Sequence, residues 1–387
     1  MKKTLTLKYT LQQMAYWATA AGVMSFATAF LLEKGFAASQ IGILLASGNL
    51  LSCAFQPILA QRADKIGGNI IKWLIAGLTV FCVFCFGIVQ LLALPQWAFG
   101  LLYLLGVFTF DAMMPLYNAI SVMYNANGYR INYGVGRGIG SLAYAVSALV
   151  IGKVMAAFGA EWMVWIALML LVANIGLTLA YPQIEQVQKE ERKSECCSIS
   201  VFFVRYKWYC VSLLGIIFLG MFHAMTENYL IEIVRPLGGD SGSVGIALFV
   251  ATAIEMVVLV NLDTVRRYIS DNMLLKIGGL SFLLKSVLFL IAPNVLSIYL
   301  IQILQAPSYS FVSPIQMYYA NNKVHMADMV KGQAFITASY TLGCAIGNFT
   351  GGQILQIANV RIMMMAGVLM AAAGTLILFA TVNKKDF

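Results

Sequence analysis

The chain has very little charge for its length. Of its 387 residues, 11% are Asp, Glu, Lys or Arg, whereas 60% are hydrophobic, and the mean hydropathy is +0.82. Soluble domains carry about 25% charged residues. A composition this poor in charge excludes a cytosolic globular enzyme and predicts a protein that lies in a membrane.

The motifs of common enzymes are missing as well. The only histidines are His223 and His325, and neither they nor the seven cysteines have the spacing of zinc ligands. There is no glycine-rich phosphate loop followed by Lys and Ser or Thr, and no nucleophile elbow. We therefore expect a protein that is not an enzyme and that holds no metal and no cofactor.

Long apolar runs fill the chain from end to end. Each is near the ~20 residues that a helix needs to cross a bilayer core, and none shows the period-two alternation of barrel strands. The sequence predicts an all-α membrane protein with twelve transmembrane helices, near 10–32, 40–60, 70–92, 97–122, 134–157, 162–181, 208–231, 243–265, 273–292, 295–319, 331–355 and 361–381.

The basic residues predict how these helices are oriented. An even number of spans places both termini on one side, and Lys and Arg concentrate on the cytoplasmic side. With both termini cytoplasmic, few of the 25 basic residues face outside, namely Lys34, Lys153, Arg235 and Arg361. The net charge of +9 then reflects an anionic inner membrane surface rather than a nucleic-acid partner. We expect a multi-pass protein of the bacterial inner membrane.

One long polar connection divides the chain. It predicts two six-helix halves, 1–181 and 208–387, joined by a cytoplasmic loop over 182–207. A faint internal echo supports this division, because the segments that begin at Gly42 and Gly245 open alike and end in basic loops. Parallel six-helix repeats are the construction of major facilitator transporters, in which the solute site lies near the midplane between the halves.

The loop after the second span resembles the signature motif of the major facilitator superfamily. Residues 60–68 read AQRADKIGG, and Asp64, Lys65 and Gly67 match the acidic, basic and second glycine positions of the motif. The resemblance implies a gating role, in which the acid and the base lock neighbouring helix ends and release them during transport. The stretch that includes 55–57 is similar to the lactose permease group of oligosaccharide:H+ symporters.

A second stretch, 133–144, is similar to the start of helix five in that group. The resemblance implies that Arg137 binds solute hydroxyls and that Tyr144 stacks against a sugar ring. The helix-four carboxylate of the group matches Asn118 here, so the acid is lost or has moved to Asp111. We expect all four residues to bind solute.

The second half resembles the group less closely. Glu255 and Lys285 match an acid on helix eight and a base on helix nine, but Gln305 and Ser308 stand where lactose permease has its coupling His and Glu. The pattern looks more like phenylpropionate-permease-like proteins and nucleoside:H+ symporters. The resemblance implies that Lys285 and Gln305 bind solute and that Glu255 couples protons.

Ionisable groups within spans are candidate functional residues because burying charge in a membrane is expensive. Glu255 and Lys285 reach similar depths on antiparallel helices, so we expect them to pair, as a static or a switching salt bridge. Asp111 is also a candidate proton-coupling residue, with Arg137 as its candidate partner unless that arginine snorkels to the cytoplasmic surface. His223 and Glu227 share a helix face and form a candidate proton site, although Glu227 also fits a solvated rim charge.

Glycines cluster at four-residue spacing in two predicted helices. Small residues let membrane helices approach closely. We expect packing surfaces rather than phosphate cradles at both clusters, which contain Gly134, Gly136, Gly138 and Gly140 in one helix and Gly343, Gly347, Gly351 and Gly352 in the other.

These features predict a monomeric secondary transporter that moves a small polar solute, such as a sugar, an oligosaccharide or a nucleoside, by alternating access. Coupling to H+ symport is expected, and Na+ remains an alternative ion. The other interpretations are an aromatic-acid permease, a drug or metabolite exporter that works by H+ antiport and, from a different class, a membrane sensor that does not transport.

Overall fold

The computed structural model describes residues 2–66, 68–183 and 199–384, and throughout these ranges all regular secondary structure is helical. The chain forms two compact units. Unit 1 contains Met1–Ala37, Ser47–Glu190 and Asp240–Thr252, and unit 2 contains Ala38–Ala46, Glu191–Gly239 and Ala253–Phe387. Two long helices, Ala38–Ile66 and Ser241–Tyr268, therefore each contribute to both units.

The first eight helices belong mainly to unit 1. In it, α1 packs against α7 and α8, and α4 packs against α5 and α8. The helices are α1 (Lys2–Val23), α2 (Ala27–Glu33), α3 (Ala38–Ile66), α4 (Gly68–Leu91), α5 (Gln96–Ala112), α6 (Met114–Ala126), α7 (Tyr133–Phe158) and α8 (Glu161–Leu179).

The remaining helices belong mainly to unit 2. In it, α10 packs against α16 and α17, and α13 packs against α15 and α17. They are α9 (Ile199–Arg205), α10 (Lys207–Asn228), α11 (Leu230–Val234), α12 (Ser241–Tyr268), α13 (Asp271–Ile291), α14 (Val295–Ile301), α15 (Tyr309–Lys323), α16 (Met329–Ile357) and α17 (Val360–Thr381), with short 3-10 helices at Arg235–Leu237, Gln302–Gln305 and Met326–Asp328.

Several helices begin at a polar residue whose side chain accepts a hydrogen bond from the first turn. Asn132 caps α7, Ser270 caps α13, Asn294 caps α14 and Asn359 caps α17. Such caps satisfy backbone N–H groups that have no partner within the helix. They explain why these spans begin where the apolar runs meet Asn or Ser.

Within the described residues, ten helices are long and apolar enough to cross a membrane, and the bent pair of α1 and α2 gives up to eleven. Large apolar side chains are exposed on these helices, among them Phe84, Leu369 and Leu376. In a membrane these side chains contact lipid rather than water, so their exposure has no hydrophobic cost. The structure confirms the predicted all-helical, multi-pass membrane protein, and among the described residues one long helix, the 29-residue α16, lies outside this set of candidates.

The glycine clusters form close helix contacts. A Cβ atom added to Gly343 or Gly347 of α16 would collide with the backbone of α10, at Ile217 and Met221 respectively. The two glycines that open the internal echo play matching roles. A Cβ on Gly42 would lie 3.1 Å from the Cα of Gly352.

A Cβ on Gly245 would similarly lie 3.2 Å from the Cα of Gly152. Each contact lies within one unit, Gly42 with Gly352 in unit 2 and Gly152 with Gly245 in unit 1. The echo therefore has a physical origin in two glycine–glycine crossings of long helices.

Four of the predicted spans are interrupted rather than continuous. The first bends by 44° between α1 and α2. The fourth breaks at Met113, the seventh breaks at Tyr229, and the tenth passes through the 3-10 turn Gln302–Gln305 before α15 begins at Tyr309. These are the first and fourth spans of each predicted half, so the interruptions occur at corresponding positions of the predicted repeat.

Candidate functional site

The N-terminal part of α7 is shaped to receive side chains from α1. A Cβ on Gly136 would lie 2.5 Å from the Tyr9 ring, and a Cβ on Gly140 would lie 2.6 Å from the Trp17 ring. Both glycines therefore act as the packing positions that their spacing predicts. Arg137 lies between them on the same helix, next to α1.

Arg137 is held by a hydroxyl group and an aromatic face. Its Nη1 donates a hydrogen bond of 2.6 Å to the Ser141 Oγ, and its guanidinium lies 4.0 Å from the centre of the Trp17 ring. An arginine over tryptophan is stabilised by a cation–π interaction. The half-buried Arg137 is therefore directed inward onto Trp17 rather than left to snorkel.

Tyr144 lies two turns further along α7 than Arg137. Its ring is 6.4 Å from the Trp17 ring, centre to centre, and its hydroxyl lies 2.5 Å from the Ser25 Oγ. Ser25 belongs to the bend between α1 and α2. We call Trp17, Ser25, Arg137, Ser141 and Tyr144 the arginine cluster, a group that offers aromatic faces and hydrogen-bonding groups together.

Asp111 lies at the end of α5, immediately before the break at Met113. Its Oδ2 accepts a hydrogen bond of 3.4 Å from the Gln56 Nε2. Asn118, the other predicted residue of this span, lies beyond the break on α6 and is half-buried.

The expected pairing of Asp111 with Arg137 is corrected by the structure. Among the residues it describes, no ion pair joins the two side chains. The reason is that Arg137 stacks on Trp17 of α1, whereas Asp111 contacts Gln56 of α3.

Lys285 is the centre of a second cluster, in unit 2. Its side chain is fully buried on α13. The Nζ donates a hydrogen bond of 2.6 Å to the Gln305 Oε1 and one of 3.3 Å to the Glu227 Oε1. The predicted solute-binding residues Lys285 and Gln305 therefore lie together, and Lys285 forms an ion pair with Glu227 in addition to its electrostatic interaction with the expected Glu255.

Glu227 is not a solvated rim charge. Its side chain is only 17% exposed, and α11 continues the span beyond it. His223, one turn earlier on α10, stacks flat on Tyr309 with ring centres 4.6 Å apart. The His223 Nδ1 is buried and has no hydrogen-bond partner among the described residues. We call His223, Glu227, Lys285, Gln305 and Tyr309 the lysine cluster.

Glu255 lies on α12, in the part of that helix that belongs to unit 2. Its carboxylate interacts electrostatically with the Lys285 ammonium. The gating-motif residues Asp64 and Lys65 have side chains outside the described set, and Gly67 lies outside the described residues. Their role stays a prediction.

Ser25 and Ser141 of the arginine cluster were missed as site candidates. Gln302, which lies outside both clusters in the 3-10 turn of the tenth span, was missed as well. Prolines inside apolar runs, Pro115 and Pro307, are the sequence signal that marks the breaks in the fourth and tenth spans. The signal is not selective, because Pro57 lies inside the continuous helix α3.

The all-helical, multi-pass fold with a polar cluster in each unit is typical of membrane transporters of the major facilitator type. The sequence matches the model of the MFS_1-like family over residues 6–366. The chain therefore belongs to the MFS_1-like family and is a transporter rather than an enzyme.

Solved transporters share this fold. The chain is similar to the nucleoside transporter NupG with a TM-score of 0.83 and 16% identity over the whole of both chains. A bacterial homologue of the human lysosomal transporter Spinster gives a TM-score of 0.70 and 13% identity, covering 98% of this chain and 97% of that one.

The POT family transporter PepTSo gives a TM-score of 0.72 and 10% identity, covering 97% of each chain. At these identities the likeness concerns the fold alone. A comparison with curated protein sequences finds no match to this chain.

Proposed function

We propose that the protein is a proton-coupled secondary transporter that carries a small polar solute, such as a sugar, an oligosaccharide or a nucleoside, across the bacterial plasma membrane by alternating access. One observation carries the proposal: spans are interrupted at corresponding positions in the two halves, and in each half a polar cluster lies beside such an interruption. Interrupted helices expose backbone groups and polar side chains within the membrane, and transporters use them to bind solutes and ions. The description of NupG as a nucleoside transporter adds support.

The proposed membrane arrangement has twelve spans in two halves, 1–181 and 208–387, connected by 182–207. It counts α16 as the eleventh span. Although α16 is more polar than the other candidates, its 29 residues exceed the ~20 needed to cross a bilayer core. Both termini face the cytoplasm, in keeping with the positive-inside rule. The protein acts as a monomer, with H+ as its coupling ion and no other cofactor.

The arginine cluster is the proposed solute-binding group of unit 1. Arg137 offers a planar set of donors for hydroxyl oxygens, while Trp17 and Tyr144 offer flat faces for a ring. Asn118 and Asp111 add an amide and a carboxyl group on either side of the break in the fourth span. Rings that carry several hydroxyl groups fit this combination.

The lysine cluster is the proposed coupling group of unit 2. Protonation of Glu227 or Glu255 removes a negative charge that stabilises the Lys285 ammonium, so the proton changes the hydrogen bonding around Gln305. His223 supplies a second proton-accepting group on the same helix face as Glu227. Carboxylates also bind Na+, so the coupling ion is a separate point to test.

Solute-induced proton movement tests the symport. In proteoliposomes, addition of uridine or a disaccharide is expected to raise the external pH as solute and proton enter together. Glu255→Gln is expected to abolish accumulation against a gradient, because the position no longer exchanges a proton. Glu232→Gln is the control, since Glu232 pairs with the exposed Arg235 at a helix end.

Transport with no pH change and no dependence on an imposed gradient would contradict the symport. Dependence on Na+ in its place would identify the other coupling ion.

The solute role of Arg137 is tested by Arg137→Lys. Lysine keeps the charge but loses the planar donor set and the stacking on Trp17, so we expect the KM of uptake to rise about tenfold. Uptake kinetics in cells check this, with Arg235→Lys as the control for the same change at an exposed position. An unchanged KM would remove Arg137 from the solute site.

A further inference from the structure

Gln302 is a fully buried amide in the interrupted tenth span. Its relative exposure is 0%, and among the described residues neither its Oε1 nor its Nε2 has a hydrogen-bond partner. Buried polar side chains nearly always have partners, and each exception asks for an explanation such as a functional role. Gln302 leaves both a donor and an acceptor without one.

The chain satisfies another fully buried glutamine completely. The Gln12 Nε2 donates a hydrogen bond of 2.7 Å to the Thr178 Oγ1, and the Gln12 Oε1 accepts one of 2.9 Å from the Tyr181 hydroxyl. Both glutamines are 0% exposed. The comparison shows that burial in this fold does not by itself leave an amide without partners.

The local helix geometry places Gln302 next to the lysine cluster. Gln302 and Gln305 are the first and last residues of a 3-10 helix. Residues three apart in such a helix lie on the same face, about 6 Å apart along the axis. Because the Gln305 Oε1 accepts from the Lys285 Nζ at 2.6 Å, Gln302 lies one turn from that contact.

A primary amide offers one donor and one acceptor side by side in one plane. This arrangement matches a planar solute edge that carries an adjacent N–H and C=O, as in a lactam or the edge of a nucleobase, through two parallel hydrogen bonds. Sugar hydroxyls rotate and present no such fixed edge.

We propose that Gln302 is a specificity-determining residue that pairs with the planar donor–acceptor edge of the transported solute. The inference rests on the proposed transport function and narrows its solute class to heterocycles with a lactam or amide edge. In this role, Gln305 accepts a hydrogen bond from Lys285, and Gln302 recognises the planar edge of the solute.

The test compares uridine with 3-methyluridine, in which a methyl group replaces the N–H of the lactam edge. Binding to the purified full chain is measured by calorimetry and by thermal shift. Wild type is expected to bind uridine about tenfold or more tightly than 3-methyluridine, the discrimination that two parallel hydrogen bonds provide. In Gln302→Met, the two affinities are expected to become equal.

Stability without solute is the second readout. Gln302→Met removes a buried amide that has no partner, so its melting temperature is expected to equal or exceed that of wild type. Gln12→Met leaves Thr178 and Tyr181 without their partner and is expected to melt lower. Gln302→Asn keeps the amide one carbon shorter, and is expected to bind uridine more weakly while still preferring it to 3-methyluridine.

Three results would overturn the inference. The first is a preference for uridine that survives in Gln302→Met. The second is a melting temperature of solute-free Gln302→Met below that of wild type. This result would mean that the amide stabilises the folded protein through a structural partner. The third is a wild-type protein that carries sugars or nucleosides without regard to the lactam N–H, in which case the transport proposal stands. A wild type that moves neither class would instead reject the transport proposal and the inference with it.

Discussion

Replacing Lys285 with methionine is expected to stop transport and to lower the free energy of unfolding by about 3–5 kcal/mol. The substitution removes the cation that pairs with Glu227 at 3.3 Å and leaves that carboxylate largely buried. Breaking a buried ion pair by removing one partner costs about this much, because the other charge remains in a medium of low dielectric constant. Thermal unfolding of the purified protein and uptake into proteoliposomes measure the two effects.

Lys276→Met is the matched control for this change. Lys276 is on the same helix, α13, and its Nζ lies 5.4 Å from the centre of the Phe379 ring rather than in a buried ion pair. We expect nearly unchanged stability and transport. The double variant Lys285→Met with Glu227→Gln is expected to recover most of the lost stability but not the transport, because the charge imbalance disappears while the coupling group is lost. If Lys285→Met alone were as stable as the control, the ion pair would make no contribution to the free energy of unfolding.

The sequence indicates which charged residues lie within apolar helices, but it does not identify all of their partners. A rise of ~1.5 Å per residue places Glu255 and Lys285 at similar depth. The partner of a side chain depends on the rotation of each helix about its axis, which packing decides. Lys285 therefore pairs with Glu227 of α10, whose position near the end of an apolar run had suggested a rim charge.

Glycine spacing was a better guide, because it reflects packing directly. Gly136 and Gly140 receive Tyr9 and Trp17 as small residues at four-residue spacing should. The weak echo between Gly42 and Gly245 was informative for the same reason, since a close helix crossing tolerates no side chain.

The helix interruptions were harder to predict. Only the fourth and tenth spans carry a proline near the break, whereas the breaks at Ser25 and Tyr229 lie in apolar runs with no Pro or Gly at the junction. Tertiary packing sets the backbone there. Gln302 therefore appeared in the sequence as one more amide in an apolar run, and only the absence of a partner among the described residues distinguishes it from Gln12.

The contact between α10 and α16 is expected to be the packing feature of unit 2 that tolerates substitution least. A Cβ on Gly347 would collide with the backbone of Met221, including its carbonyl oxygen. Backbone atoms cannot rotate away as a side chain can, so Gly347→Ala must separate the helices, at a cost of about 1–3 kcal/mol. Gly347→Leu is expected to prevent recovery of folded protein.

Gly77 of α4 provides a control with the opposite sign. A Cβ at Gly77 meets nothing within 4 Å, and alanine is a better helix former than glycine by about 1 kcal/mol. Gly77→Ala is therefore expected to raise the melting temperature, whereas Gly347→Ala is expected to lower it. Gly77→Leu is expected to yield folded protein, whereas Gly347→Leu is not. If both alanine variants raised the melting temperature, intrinsic helix preference rather than helix contact would determine the effect. The close approach of α16 to α10 would then make no contribution to the stability of the folded protein.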